Sequence, residues 1–140
     1  MRRPLLPFAV LAAAVLAGCG QTSSESSAEK FSGQQKAVAQ VVEDLQDAGE
    51  SQDGERICNE ILSPALVEQV KASGSDCAAE MKRSLEDADE YELDVQKVTV
   101  QGSDAEAQVK GTAGDRSRTA TMRFAKERSG WRVVDLGAGT

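Results

Sequence analysis

The spacing of apolar residues changes near residue 90, and this change limits the folds that the chain can adopt. Before it, apolar residues recur at the spacing of an amphipathic helix: Val38, Val41, Val42, Leu45 and Ala48. After it, apolar residues alternate with polar ones, as in Tyr91, Leu93 and Val95. Helices followed by strands predict an α+β fold in which helices pack on one face of an antiparallel sheet.

Four helices are predicted in the first half. The longest runs from Ser32, which could form a capping box with Gln35, to a stop at Gly49. The other three are short. Their predicted starts are a cap at Asp53, the Ser63-Pro64 pair, and the region just before Cys77.

Four strands joined by short turns predict an antiparallel meander in the second half. The turns are expected at residues 102–104, 111–116 and 127–130. In the first strand the apolar positions switch parity after Val95, which predicts a β-bulge or bend near Gln96 and Lys97.

The beginning of the chain has the pattern of an export signal. Arg2 and Arg3 precede a nearly unbroken apolar run from Leu5 to Ala17. This run is shorter than the roughly 18 to 20 residues that span a membrane. Leu16-Ala17-Gly18-Cys19 resembles a bacterial lipobox, so we expect Cys19 to be lipidated and residues 1–18 to be removed. Two acyl chains are enough for stable membrane residence.

The lipoprotein interpretation divides the chain into three segments. Residues 1–18 are a signal peptide, residues 19–32 are the lipidated cysteine and a flexible Ser-rich tether, and residues 33–137 are one folded domain. Removing residues 1–18 changes the formal net charge from −7 to −9. An acidic domain is repelled by phosphate backbones, so no nucleic acid is expected as a partner. The expected location is the outer face of the cell membrane, within the cell envelope or periplasm.

Cys58 and Cys77 remain once Cys19 is lipidated. An even pair in an exported domain predicts a disulfide bond. The functional alternative is a redox pair, but 18 residues separate the two cysteines, unlike the C-x-x-C arrangement of redox proteins.

The residue composition argues against a histidine-dependent enzyme or metal site. The chain contains no histidine, which removes the commonest general base and any histidine-containing zinc site. The acidic cluster within residues 86–90 does not fit a calcium loop, because Tyr91 and Glu92 stand where a ligand and a glycine are needed. Its members are Glu86, Asp87, Asp89 and Glu90. No metal or other cofactor is therefore expected.

Several short runs carry a family resemblance. The long first helix, Asp53-Gly54 followed by Arg56-Ile57-Cys58, and the closing Gly130-Trp131-Arg132-Val133 look like exported actinobacterial lipoproteins of the nuclear transport factor 2-like superfamily. The resemblance covers residues from about 34 to 137. It implies a cystatin-like cone, with a bent sheet wrapped around the helices and often a pocket inside.

The superfamily contains both enzymes and binding domains, so the resemblance does not choose between them. Because the carboxylates lie on predicted polar faces, we expect a non-catalytic binding module that holds an apolar small ligand in the cone or a protein partner on its surface. The pocket candidates are Val41, Leu45, Tyr91, Met122 and Phe124. An isomerase or hydratase using Tyr91 and a buried carboxylate is the alternative, because the superfamily also contains such enzymes. A homodimer through the exposed sheet face is a candidate assembly, although that face carries no apolar patch.

Overall fold

A computed structural model describes residues 26–86 and 91–137 of the chain. Four α-helices come first: α1 (Gly33–Glu50), α2 (Gly54–Arg56), α3 (Pro64–Ala72) and α4 (Cys77–Glu86). A π-helical turn, Ile57–Ile61, continues α2, and a 3-10 helix, Ser27–Lys30, precedes α1. The strands β1 (Glu92–Gln101), β2 (Asp104–Ala113), β3 (Arg116–Glu127) and β4 (Gly130–Asp135) then form one open antiparallel sheet in sequence order. The predicted α+β class is confirmed.

The helix starts follow local capping chemistry. The Asp53 side chain accepts a hydrogen bond from the Arg56 amide, and Ser63 accepts one from the Leu66 amide just before Pro64. The capping box predicted at Ser32 is wrong, because Ser32 makes no side-chain cap and Gln35 donates instead to the carbonyl of Val98, at 3.1 Å. Helix α1 also passes the predicted stop at Gly49 and ends at Glu50.

The turns of the sheet match the glycine positions. Gln101 pairs with Asp104, and Ala113 pairs with Arg116, so each hairpin has a two-residue turn. Gly102 and Gly114 occupy the first turn position with φ of 62° and 59°, a conformation that only glycine adopts easily. The register shift between Val95 and Lys97 confirms the predicted bulge. The second turn is shorter than predicted because β2 continues through Gly111 to Ala113.

One hydrophobic core joins α1 to the sheet. Val38, Val42, Ala107 and Val133 are fully buried in it. Glutamines near the two ends of α1 hold the edge strand β1: Gln35 donates to Val98 as described, and the Gln46 side-chain oxygen accepts from the Leu93 amide at 2.7 Å. The Trp131 indole donates to the Gln34 side chain at 2.9 Å. Helix α1 is therefore fixed to both edge strands by side-chain hydrogen bonds as well as by apolar packing.

The folded part of the chain begins earlier than predicted. Ala28 is buried at 1% exposure, and its amide donates to the Glu43 carboxylate at 2.9 Å. The Ser26 hydroxyl donates to the same carboxylate oxygen. The prediction of a flexible tether is therefore wrong for residues 26–30. Glu43 of α1 accepts the hydrogen bonds that hold this segment, and Glu43 is too far along the sequence for a local pattern to show the contact. Residues 19–25 lie outside the described part of the chain.

Candidate functional site

A cavity of about 280 Å³ lies between α1 and the helix-facing side of the sheet. Helix α1 contributes Leu45, Tyr91 comes from the segment before β1, and Leu136 follows β4. The remaining lining residues come from the three longest strands: Leu93, Val109, Gly111, Arg118, Ala120 and Met122. Most of these side chains are apolar, which is typical of a site for a small apolar ligand.

The strand register arranges the lining in rows of increasing polarity. Met122 is opposite Ala107, and the next row pairs Ala120 with Val109. The row after that pairs Arg118 with Gly111, which is also opposite Leu93 on β1. Met122 and Val109 are buried, whereas Arg118 is exposed to solvent. The cavity therefore has an apolar interior and one cationic residue at its open side.

Gly111 provides space in the middle of the cavity wall. A methyl group added there would lie 3.6 Å from Cδ2 of Leu93 and 4.0 Å from the Arg118 carbonyl oxygen, which are ordinary contact distances. Glycine inside a strand usually weakens it, and it often marks a place where another group approaches the backbone. The missing side chain at Gly111 keeps part of the cavity open.

Tyr91 forms another wall, and its ring packs against Gly49 and α1. Cε1 of the ring would lie 3.0 Å from a methyl group on Gly49. Burial raises the pKa of the Tyr91 phenol above its usual value of 10.0. The side chain is therefore neutral at neutral pH and adds no negative charge to the cavity.

Leu136 lies at the open side of the cavity. At 37% exposure, it is the one large hydrophobic side chain in the described part of the chain that is classed as exposed. An exposed leucine beside an apolar cavity extends the apolar area toward solvent.

Three of the five pocket candidates line this cavity: Leu45, Tyr91 and Met122. The other two do not. Phe124 is 1% exposed and fills the core two residues beyond Met122, while Val41 is half-buried one helical turn before Leu45. A glycine and an arginine in a strand give no sequence signal for a cavity wall, so Gly111 and Arg118 were not predicted. The other lining residues outside the candidate set are Leu93, Val109, Ala120 and Leu136.

The enzyme alternative requires a carboxylate beside Tyr91. Within residues 26–86 and 91–137, no Asp or Glu lines the cavity. The acidic residues Asp87, Asp89 and Glu90, which come just before Tyr91, lie outside the described part of the chain. The same described ranges contain no group of three or more side chains suited to hold a metal ion.

The structure confirms the predicted disulfide between Cys58 and Cys77. The Cα atoms of the two residues are 6.2 Å apart, and both side chains are buried. The bond joins the π-helical turn to the first residue of α4. It stabilises the helical layer and lies outside the cavity lining.

Comparisons with known proteins do not assign the chain to a family. No protein-family model matches it, and no curated protein matches it. Cys19, the predicted lipidation site, lies outside the described residues. In the part of the chain that is described, no helix has the length and apolar character needed to cross a membrane.

Proposed function

We propose that this chain is an exported lipoprotein that binds an apolar small ligand without catalysis. In this proposal Cys19 carries the acyl chains, and residues 1–18 are the removed signal. The protein is then held on the extracytoplasmic face of the cell membrane. The observation that carries the binding function is the cavity of about 280 Å³ with its mainly apolar lining.

The fold is compatible with a more specific assignment to the nuclear transport factor 2-like superfamily. Four helices followed by a four-stranded meander have the element order expected for that superfamily. We include this assignment in the proposal, with the cavity as the equivalent of the pocket in the cone. A ligand in this cavity accounts for the open wall at Gly111 and the exposed Leu136 better than a purely structural domain does.

Native mass spectrometry tests the binding function. The sample is the exported chain from Gly20 onwards, released by replacing residues 1–19 with a cleavable secretory signal. This sample keeps every residue that the structure describes and needs no detergent, which would compete for an apolar cavity. We expect a co-purifying small molecule that is lost when the protein is unfolded.

Gly111→Val provides the matched variant, because a side chain there would occupy the cavity while valine favours the strand. We expect this variant to fold and to lose the co-purifying molecule. Gln108→Val is the control, since Gln108 lies on the same strand but is exposed on the opposite face. Equal ligand retention by both variants would contradict binding in this cavity.

The anchor is tested separately by cell fractionation with Cys19→Ala in the full chain. We expect the wild-type protein in the membrane fraction and the variant outside it, because the acyl chains supply the membrane affinity. Recovery of the unlipidated, uncleaved variant in membranes would instead favour a membrane-spanning segment.

A further inference from the structure

We infer that the cavity takes aliphatic carboxylates, with the hydrocarbon chain inside and the carboxylate held by the Arg118 guanidinium at the open side. This inference rests on the proposed binding function and adds the chemical class of the ligand. It comes from the position of Arg118 relative to the apolar lining.

The strand register puts the charge at one end of the apolar wall. Arg118, Ala120 and Met122 follow one another along β3 at intervals of two residues, so all three project from the same face of the strand. Met122 is the most deeply buried of the three. A ligand that fills the apolar part of the cavity would therefore extend its head group toward Arg118.

The charges on the described part of β3 beside the cavity favour an anionic head group. Arg116 is one row further out on the same strand face, so a second cation lies beyond Arg118. The lining that the structure describes contains no Asp or Glu, although the whole chain has a net charge of −7. A guanidinium group binds a carboxylate through two parallel hydrogen bonds, which gives both affinity and orientation.

The cavity size limits the hydrocarbon part. At about 280 Å³ it is close to twice the volume of a 150 Å³ engineered cavity that holds benzene. A chain of roughly ten carbons is a reasonable match to this space. Decanoate and decan-1-ol are therefore suitable probes, because they share one chain and differ only in the head group.

Methionine-methyl NMR can follow binding of both probes to the exported chain from Gly20 onwards. Met122 lines the cavity, whereas Met81 lies on α4 outside the lining and serves as an internal control. We expect decanoate to shift the Met122 methyl signal and to bind roughly five- to tenfold more tightly than decan-1-ol at neutral pH.

Arg118→Gln should remove this preference by weakening decanoate binding about five- to tenfold and leaving decan-1-ol unchanged. Arg123→Gln is the matched control, because Arg123 lies on the opposite face of β3. Its Nε atom is 3.5 Å from Oε1 of Glu106. In the wild-type protein, about 1 M salt should also reduce the preference, because the Debye length falls to about 3 Å. The salt measurement keeps the inference testable even if the variant does not fold.

The outcomes separate the two proposals. Equal binding of decanoate and decan-1-ol, unaffected by salt and by Arg118→Gln, would overturn the carboxylate inference while supporting an apolar site. A Met122 signal that responds to neither probe would overturn the inference and count against the proposed binding function as well.

Discussion

A methyl group on Gly49 would lie 3.0 Å from Cε1 of Tyr91, so the end of α1 and the segment before β1 meet so closely that a side chain there would push the Tyr91 ring aside. The same methyl group would lie 3.4 Å from Cδ2 of Leu85 on α4. Glycine thus allows three parts of the fold to approach beside the cavity. The residue was expected to stop the helix, but its role is in packing.

Gly49→Ala should therefore destabilise the protein by about 1 to 2 kcal/mol, since overpacking outweighs the gain of about 1 kcal/mol that alanine brings to an ordinary helix. In a Tyr91→Ala background the same substitution should cost less or become stabilising. Denaturant unfolding of the two single variants and the double variant measures this coupling. A stabilising Gly49→Ala in the wild-type background would show that the contact is not tight.

The raised pKa of Tyr91 predicts a loss of stability at alkaline pH. The folded protein keeps the phenolic proton at pH values where the unfolded chain, with a pKa near 10.0, has released it. The contribution of Tyr91 to the free energy of unfolding is therefore complete below pH 10. It decreases as the pH rises above 10 through the pKa of the folded protein.

Absorbance of the phenolate measures this pKa directly, because Tyr91 is the one tyrosine in the chain. The free energy of unfolding of Tyr91→Phe should depend less on pH above 10 than that of the wild-type protein. A midpoint at or below 10 in the folded protein would contradict the effect of burial on Tyr91.

Glu43 should control the order of the segment that precedes α1. Glu43→Ala removes the acceptor for the Ser26 hydroxyl and the Ala28 amide, and each lost hydrogen bond costs about 1 kcal/mol. We expect faster hydrogen exchange at the Ala28 amide and faster proteolysis before α1. Asp47→Ala is the control, because it removes an exposed carboxylate from the same helix. Similar exchange in both variants would mean that Glu43 does not hold the segment.

Loss of the disulfide should lower the free energy of unfolding by about 3 kcal/mol, since the bond closes a loop of about 20 residues in the unfolded chain. The double variant Cys58→Ala, Cys77→Ala provides this comparison in denaturant unfolding. Intact-mass analysis of the exported protein with and without reductant checks the bond itself. Two free thiols before reduction would contradict it.

The sequence by itself determined the features that depend on neighbouring residues. Periodicity separated the helices from the strands, and capping chemistry located the helix starts at Asp53 and Ser63. The switch in parity after Val95 predicted the bulge in β1. Cys58 and Cys77 predicted the disulfide because the third cysteine of the chain, Cys19, is the expected lipidation site.

Only the tertiary structure decided which distant residues share the cavity. Phe124 and Met122 are both buried and have the same strand pattern, yet Met122 lines the cavity and Phe124 does not. Gly111 and Arg118 became site residues because the register of β2 and β3 puts them opposite each other. Such contacts depend on how complete elements pack, and local sequence patterns carry no record of that packing.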